Sequence, residues 1–375
     1  MNQTINPNKR LLSLDVFRGL TIIGMIIVNS AGNNTAYPFV SHSEWNGCTL
    51  ADLVFPFFVF IVGVALVISL TKRIAQGEPL NKLFFEVLKR SAIIFLLGLF
   101  LNAFGHYFFH FDFDIRITGV LQRIALCYFF AALLFIYTSI AIQALIMVMI
   151  LVGYWLLMTY VPVPGFGTGN LTPAGNLATY LDQLLINSKH LFRGVNDPEG
   201  ILSTLPAIAT ALLGNLTGKW LISNYSQKIK CIGMLLIGIL ALFLGWLWGL
   251  WFPINKSIWT SSYVLWTEGW ALCLLALFYW LIEIKNWRQW SKFFEIFGVN
   301  AIAAYFLHIF FLEIQSFIRL PGIDGAQVSS RLFITQHLFG WASLQNASLF
   351  YALCYTLLWF FVLWIFYRNK IFIKI

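Results

Sequence analysis

Ten apolar stretches, at about 13–31, 50–70, 91–110, 118–138, 140–161, 200–218, 231–252, 262–283, 297–315 and 346–367, dominate the sequence. Each is close to the roughly 20 residues that a helix needs to cross a bilayer. A helix closes its backbone hydrogen bonds within the segment, so lipid accepts it where it rejects loops and open strands. The pattern therefore predicts an all-α, polytopic transmembrane bundle of about ten spans, one domain over residues 1–375. Composition agrees: 59% of residues are hydrophobic and 10% charged. Soluble domains carry roughly 25% charged residues, so this chain cannot clothe a water-facing surface.

A formal charge of +9 would suggest nucleic acid on a soluble chain. Here the basic residues gather in short gaps between the apolar runs. With the N-terminus inside, the inner segments, from Lys9 and Arg10 to Lys374, hold sixteen of the 24 Lys and Arg, against six in the outer segments. The positive-inside rule then puts both termini in the cytoplasm and leaves nucleic acid no role. Five cysteines without CxxC spacing make neither a disulfide framework nor a zinc site. The first run carries Asp15 and Arg18 and no small-residue cleavage site, so it is expected to remain as a helix. The expected setting is multi-pass in a membrane, a bacterial inner membrane for preference.

Ionisable residues in spans are costly and point to function. Asp15 and Arg18 share one face of the first helix, as an internal ion pair or as part of a site. Asn29 ends that helix, and a polar block follows with His42, Ser43, Glu44, Asn46, Thr49 and Asp52. An imidazole with carboxylates, an amide and a hydroxyl beside it suits proton transfer, although a lone loop histidine is more often solvated. Gln122 and Arg123 interrupt the fourth run, with Asp112 and Asp114 upstream as pairing candidates for the arginine. Asp197 and Glu199 open the sixth run, as helix caps or as ligands for a polar substrate. Lys256 lies in a stretch of Ser, Thr and Tyr whose tryptophans suit an aromatic belt. Asn300, Tyr305 and His308 fall in the ninth run, where a satisfied bundle histidine is the commoner reading. The outer loop 162–199 is rich in Gly, Pro and Asn, and its stretch at 177–192 reads as a short amphipathic surface helix. H-E-x-x-H, Walker, G-x-S-x-G and G-x-G-x-x-G motifs are all missing from the sequence, which disfavours a metalloprotease, a pump ATPase or a Rossmann oxidoreductase.

In the blocks LDVFRGLTIIGMIIVN (14–29), HSEWNGCTLADLVFPFFVFIVG (42–63), GVLQRIALCYF (119–129), DPEGILST (197–204), FPINKSIWTSSYV (252–264) and GVNAIAAY (298–305), the chain resembles the heparan-α-glucosaminide N-acetyltransferase family in a short form. The His-x-x-Trp-Asn-Gly block followed by Ala-Asp-Leu-Val-Phe-Pro is the most specific. This resemblance implies acetyl transfer across a membrane, from cytoplasmic acetyl-CoA to the amine of a glucosamine-type sugar on the far side, by a homodimer and without a metal. It implies that His42 is the catalytic histidine, as general base or acetyl carrier, with Asn29 beside it. Arg18, Gln122, Arg123 and Asn300 are then candidates for the CoA moiety, and Asp52, Asp197, Glu199 and Lys256 for the sugar. A transporter of a polar solute, or acetylation of a surface polysaccharide, would draw on the same residues.

Overall fold

The computed structural model describes residues 11–110 and 115–373. Each apolar run coincides with a helix: α1 (Leu12–Asn29), α2 (Leu50–Ala75), α3 (Leu80–His110), α4 (Val120–Tyr137), α5 (Ile140–Tyr160), α7 (Thr204–Ile222), α8 (Gln227–Trp248), α9 (Ser261–Tyr279), α11 (Ala301–Phe317) and α13 (Leu344–Arg368). Among the described residues, seven of these are long and apolar enough to cross a membrane, and an eighth candidate is a broken pair. That pair is α10 (Ser291–Val299) with α11, bent by 78° at Asn300. α3 and α7 are long but fall outside that set.

Local chemistry fixes where the helices start. Ser139, Ser226, Thr260 and Ser343 each accept a backbone N–H two residues into α5, α8, α9 and α13, meeting a donor the helix itself leaves unpaired. A Thr49–Asp52 capping box starts α2. α1 and α2 form the centre, with over 60% of their apolar windows buried, whereas α5 and α8 bury about a fifth and turn rows of Ile, Leu, Val and Phe outward. Glycines set the closest crossings. At Gly19 an added Cβ would lie 1.9 Å from the Phe294 carbonyl oxygen, and at Gly298, 2.0 Å from that of Asp15, so α1 and α10 touch backbone to backbone.

Three sequence expectations change. The surface helix is shorter: α6 is Leu177–Leu185, because Ile186 is extended and Asn187 caps a separate 3-10 turn at Ser188–His190. A two-stranded antiparallel hairpin, β1 (Arg319–Pro321) with β2 (Gln327–Ser329), precedes α12 (Ser330–Phe339) in an otherwise helical chain. Trp259 is no belt residue. It is buried against Phe55 and Tyr263, and its indole N–H donates to Thr210. Lys9, Arg10, Asp112, Asp114 and Lys374 lie outside the described residues.

Candidate active site

The 42–52 block folds onto the segment between α8 and α9. The Gly47 N–H donates to the Ile254 carbonyl at 2.7 Å, and the Asn255 amide donates to Asn46 Oδ1 at 3.0 Å. Gly47 makes this approach with φ +112°, a conformation open to glycine and rare for other residues. These contacts bring Lys256 to His42.

Asp52 sits at the centre, its side chain fully buried. His42 Nδ1 lies 2.8 Å from its Oδ1. Its Oδ2 accepts from the backbone N–H groups of Ser43 and Thr49 and from the Thr49 hydroxyl at 3.0–3.1 Å. From α9, the Tyr263 hydroxyl donates to the Asp52 carbonyl at 2.6 Å. Lys256 Nζ is 3.3 Å from Asp52 Oδ1, 3.0 Å from His42 Nδ1 and 3.5 Å from Nε2. An ionised carboxylate only accepts, so the Asp52 contact calls for the proton on Nδ1 and leaves Nε2 as the ring's acceptor, 3.5 Å from Lys256 Nζ. The imidazole is half exposed, whereas its carboxylate partner is locked in the interior.

Electrostatics distinguishes the neighbours. Burial pushes the Lys256 ammonium below its ordinary range, opposed by the carboxylates of Asp52 and Glu199. Burial, with Asp52 adding to it, pushes the Cys48 thiol up to about 12, which leaves no thiolate nucleophile there near neutrality.

A second cluster abuts the first. Arg116 binds both Asp197 oxygens, at 2.8 and 2.5 Å, and also Glu199. Thr118 and the Phe192 and Glu199 N–H groups also donate to Asp197. Burial alone would raise the Asp197 carboxyl; Arg116 and Thr118 outweigh it and hold that group below the usual range. Neither acid caps α7, which starts after Ser203. Arg123 of α4 is 1% exposed, donates to Gly200 O and Ser203, and lies 5.1 Å from the Trp259 ring centroid. Its Nε and Nη1 have no partner among the described residues. Both clusters meet electrostatically at Glu199, whose charge reaches Lys256 and Arg123.

Other sequence candidates lie elsewhere. Asn29 meets His308 Nε2 at 3.4 Å, not His42. The His308 Nδ1–H donates to the Ala304 carbonyl at 2.8 Å, and the ring is fully buried. Asn300 spends its amide on the C-terminal tail, donating to Ile371 O and accepting from Ile373 N. Gln122 is buried between α3 and Gly119. Arg18 pairs with Asp15 at 3.0 Å and donates to Gly298 O at 3.3 Å. Glu44 is exposed. Sequence reasoning missed Arg116, Asn255, Trp259 and Tyr263. For Asn255, Trp259 and Tyr263 the signal was their place in the 252–264 stretch around Lys256.

Asp182 on α6 gives a pH handle on this face. Its Oδ1 accepts the Ile201 N–H at 2.8 Å, yet burial, helped by the charge of Asp197, raises the carboxyl to about 6. A raised folded-state value means the folded form binds the proton more readily, so this stability is present below about pH 4 and lost as pH rises through about 6. Asp182→Asn keeps the acceptor and removes the charge. It is expected to raise the melting temperature by about 2 °C at pH 7.5 and by less at pH 5. An equal rise at both pH values would mean the carboxylate carries no such penalty.

Residues 10–246 match the family model described as Heparan-alpha-glucosaminide N-acetyltransferase, catalytic. The matched segment holds Asn29, His42, Asp52, Arg116, Arg123, Asp197 and Glu199, and ends before Lys256. Over 424 aligned residues the chain is 29% identical to the heparan-alpha-glucosaminide N-acetyltransferase of Homo sapiens, covering 98% of this chain and 60% of that protein. The same protein of Mus musculus is 28% identical at the same coverage. This chain thus spans about 60% of the length of the curated relatives it matches.

Proposed function

The chain belongs to the heparan-alpha-glucosaminide N-acetyltransferase family, and on that premise we propose that it transfers an acetyl group from acetyl-CoA to the amine of a glucosamine-type sugar at the His42 face. The observation that carries this reading is the His42–Asp52–Lys256 constellation: a half-exposed imidazole oriented by a buried carboxylate. At neutral pH a sugar amine is largely an ammonium ion and cannot attack a thioester. His42 Nε2 takes that proton as general base, and Asp52 offsets the charge formed on the ring. The amine nitrogen then bonds to the acetyl carbon as the C–S bond breaks. The proton shed by the new amide nitrogen passes to the leaving sulfur. Lys256 Nζ, beside the ring, is a donor placed for the oxyanion that develops.

The donor fits this frame. Arg123 offers two buried N–H groups without partners, and a guanidinium fork suits carbonyl or phosphate oxygen. We further propose that all ten long helices cross the membrane, with both termini in the cytoplasm. His42, between α1 and α2, then lies on the outer face, and acetyl-CoA approaches from the inner one.

Sealed vesicles test this directly. With acetyl-CoA supplied on one face and glucosamine on the other, N-acetylglucosamine is expected on the glucosamine side only when both are present. Sugar uptake without acetyl-CoA, and no acetylated product, would favour a transporter instead.

A further inference from the structure

The proton-transfer cluster occupies the N-terminal end of α2, and the other end has its own basic feature. There α2, α3 and α4 enclose an open cavity of about 640 Å³. Arg73 of α2 and Glu86, Lys89 and Arg90 of α3 contribute charge to its wall, and Tyr128 of α4 closes one side. Arg73 is already neutralised: Glu78 binds it through two hydrogen bonds, at 2.9 and 2.7 Å, and Glu86 pairs with it as well. Lys89 and Arg90 remain. The Arg90 guanidinium lies 4.8 Å from the centroid of the Tyr128 ring, and its Nε is buried with no partner among the described residues. One wall carries an uncompensated double positive charge.

The cavity is also amphipathic. Below the two cations on the same helix, Ile93, Leu96 and Phe100 are exposed and aligned at helical spacing, a strip suited to an acyl chain. From Asp52 to Arg73 is twenty-one residues of continuous helix, about 31 Å at 1.5 Å per residue, so this cavity sits near the opposite membrane surface from His42. A basic pocket between spans, at interfacial depth and opening onto an apolar strip, has the chemistry of a lipid head-group site.

We propose that this cavity binds the phosphodiester of an anionic glycerophospholipid, held by Lys89 and Arg90, with its acyl chain along Ile93, Leu96 and Phe100. A soluble phosphate ester would offer the same oxyanion but nothing to cover that strip.

The test uses delipidated full-length protein in micelles, titrated with short-chain phosphatidylglycerol or phosphatidylcholine and read by native mass spectrometry. Phosphatidylglycerol is expected to bind about tenfold more tightly. The Lys89→Gln/Arg90→Gln double variant is expected to lose that preference, whereas Lys89→Arg/Arg90→Lys keeps it, and melting temperatures identify any variant that fails to fold. Acetyl-CoA affinity should be the same in all three proteins. Equal binding of the two lipids, or a preference that survives the glutamine variant, overturns the site. Displacement of phosphatidylglycerol by inorganic phosphate or acetyl-CoA, with acetyl-CoA affinity falling in the glutamine variant, overturns the lipid as the ligand.

Discussion

Replacing His42 with Gln is expected to lower acetyl transfer to glucosamine by about 10²–10⁴-fold, the usual contribution of a positioned general base. Acetyl-CoA affinity and melting temperature should change little, because the ring is half exposed and its hydrogen bonds lie at the edge of the Asp52 network. Asp52 retains the Ser43 and Thr49 donors and Lys256 without it. The loss should therefore fall on kcat. Asp52→Asn is the companion variant, and it separates positioning from chemistry. An amide at this place can donate to Nδ1 and force the Nε2–H tautomer, which has no lone pair left for the substrate proton. A fall in kcat with the imidazole intact is expected, together with a change in the shape of the pH–rate profile. Full activity in His42→Gln would remove the histidine from the chemistry, and unchanged pH dependence in Asp52→Asn would reduce the carboxylate to a structural role.

Spacing made part of this site readable and packing concealed the rest. The capping box of α2 and the polar block before it are local features, so Asp52 and His42 stand out in the sequence ten residues apart. Lys256 was readable as a polar residue near a span end, but not as a neighbour of His42 across 214 positions. Arg116 shows the same limit. It reads as an outer-loop cation, and its bidentate hold on Asp197 depends on how α4 and α7 lie together. Asn29 differs from expectation in its contact: the family resemblance sets it beside His42, whereas the fold brings α11 alongside α1 and pairs it with His308. The helices themselves were legible because a bilayer demands about 20 apolar residues wherever the chain crosses, and no distant partner is needed to see that. The bend at Asn300 was not, since it is held by the returning C-terminal tail.

Gly214→Ala is expected to destabilise the bundle and loosen both polar clusters with it. Gly214 and Gly218 stand one turn apart on α7; Gly214 faces Phe60 and Gly63 of α2, and Gly218 faces Val64 and Val67. A Cβ at Gly214 would lie 2.3 Å from the Phe60 carbonyl oxygen, and one at Gly63 would lie 2.1 Å from that of Ala211. Both obstacles are backbone, so no rotamer relieves them. Reaching an ordinary 3.4 Å contact needs the two helices to part by about 1 Å at the crossing. α2 carries Asp52 at its start, and α7 is anchored at its own start by Arg123 on Ser203, so parting them loosens both polar clusters together. Overpacking of this kind costs about 1–3 kcal/mol or more, and alanine's better helix propensity returns only about 1 kcal/mol. The control is Gly153 of α5, where an added Cβ meets nothing within 4 Å. Gly153→Ala should leave the melting temperature unchanged or slightly raised, whereas Gly214→Ala should lower it by several degrees and reduce acetyl transfer with it. Equal melting temperatures for the two variants would show that α2 and α7 can part without loss, and would remove the glycine contact as the element that holds the two polar clusters in register.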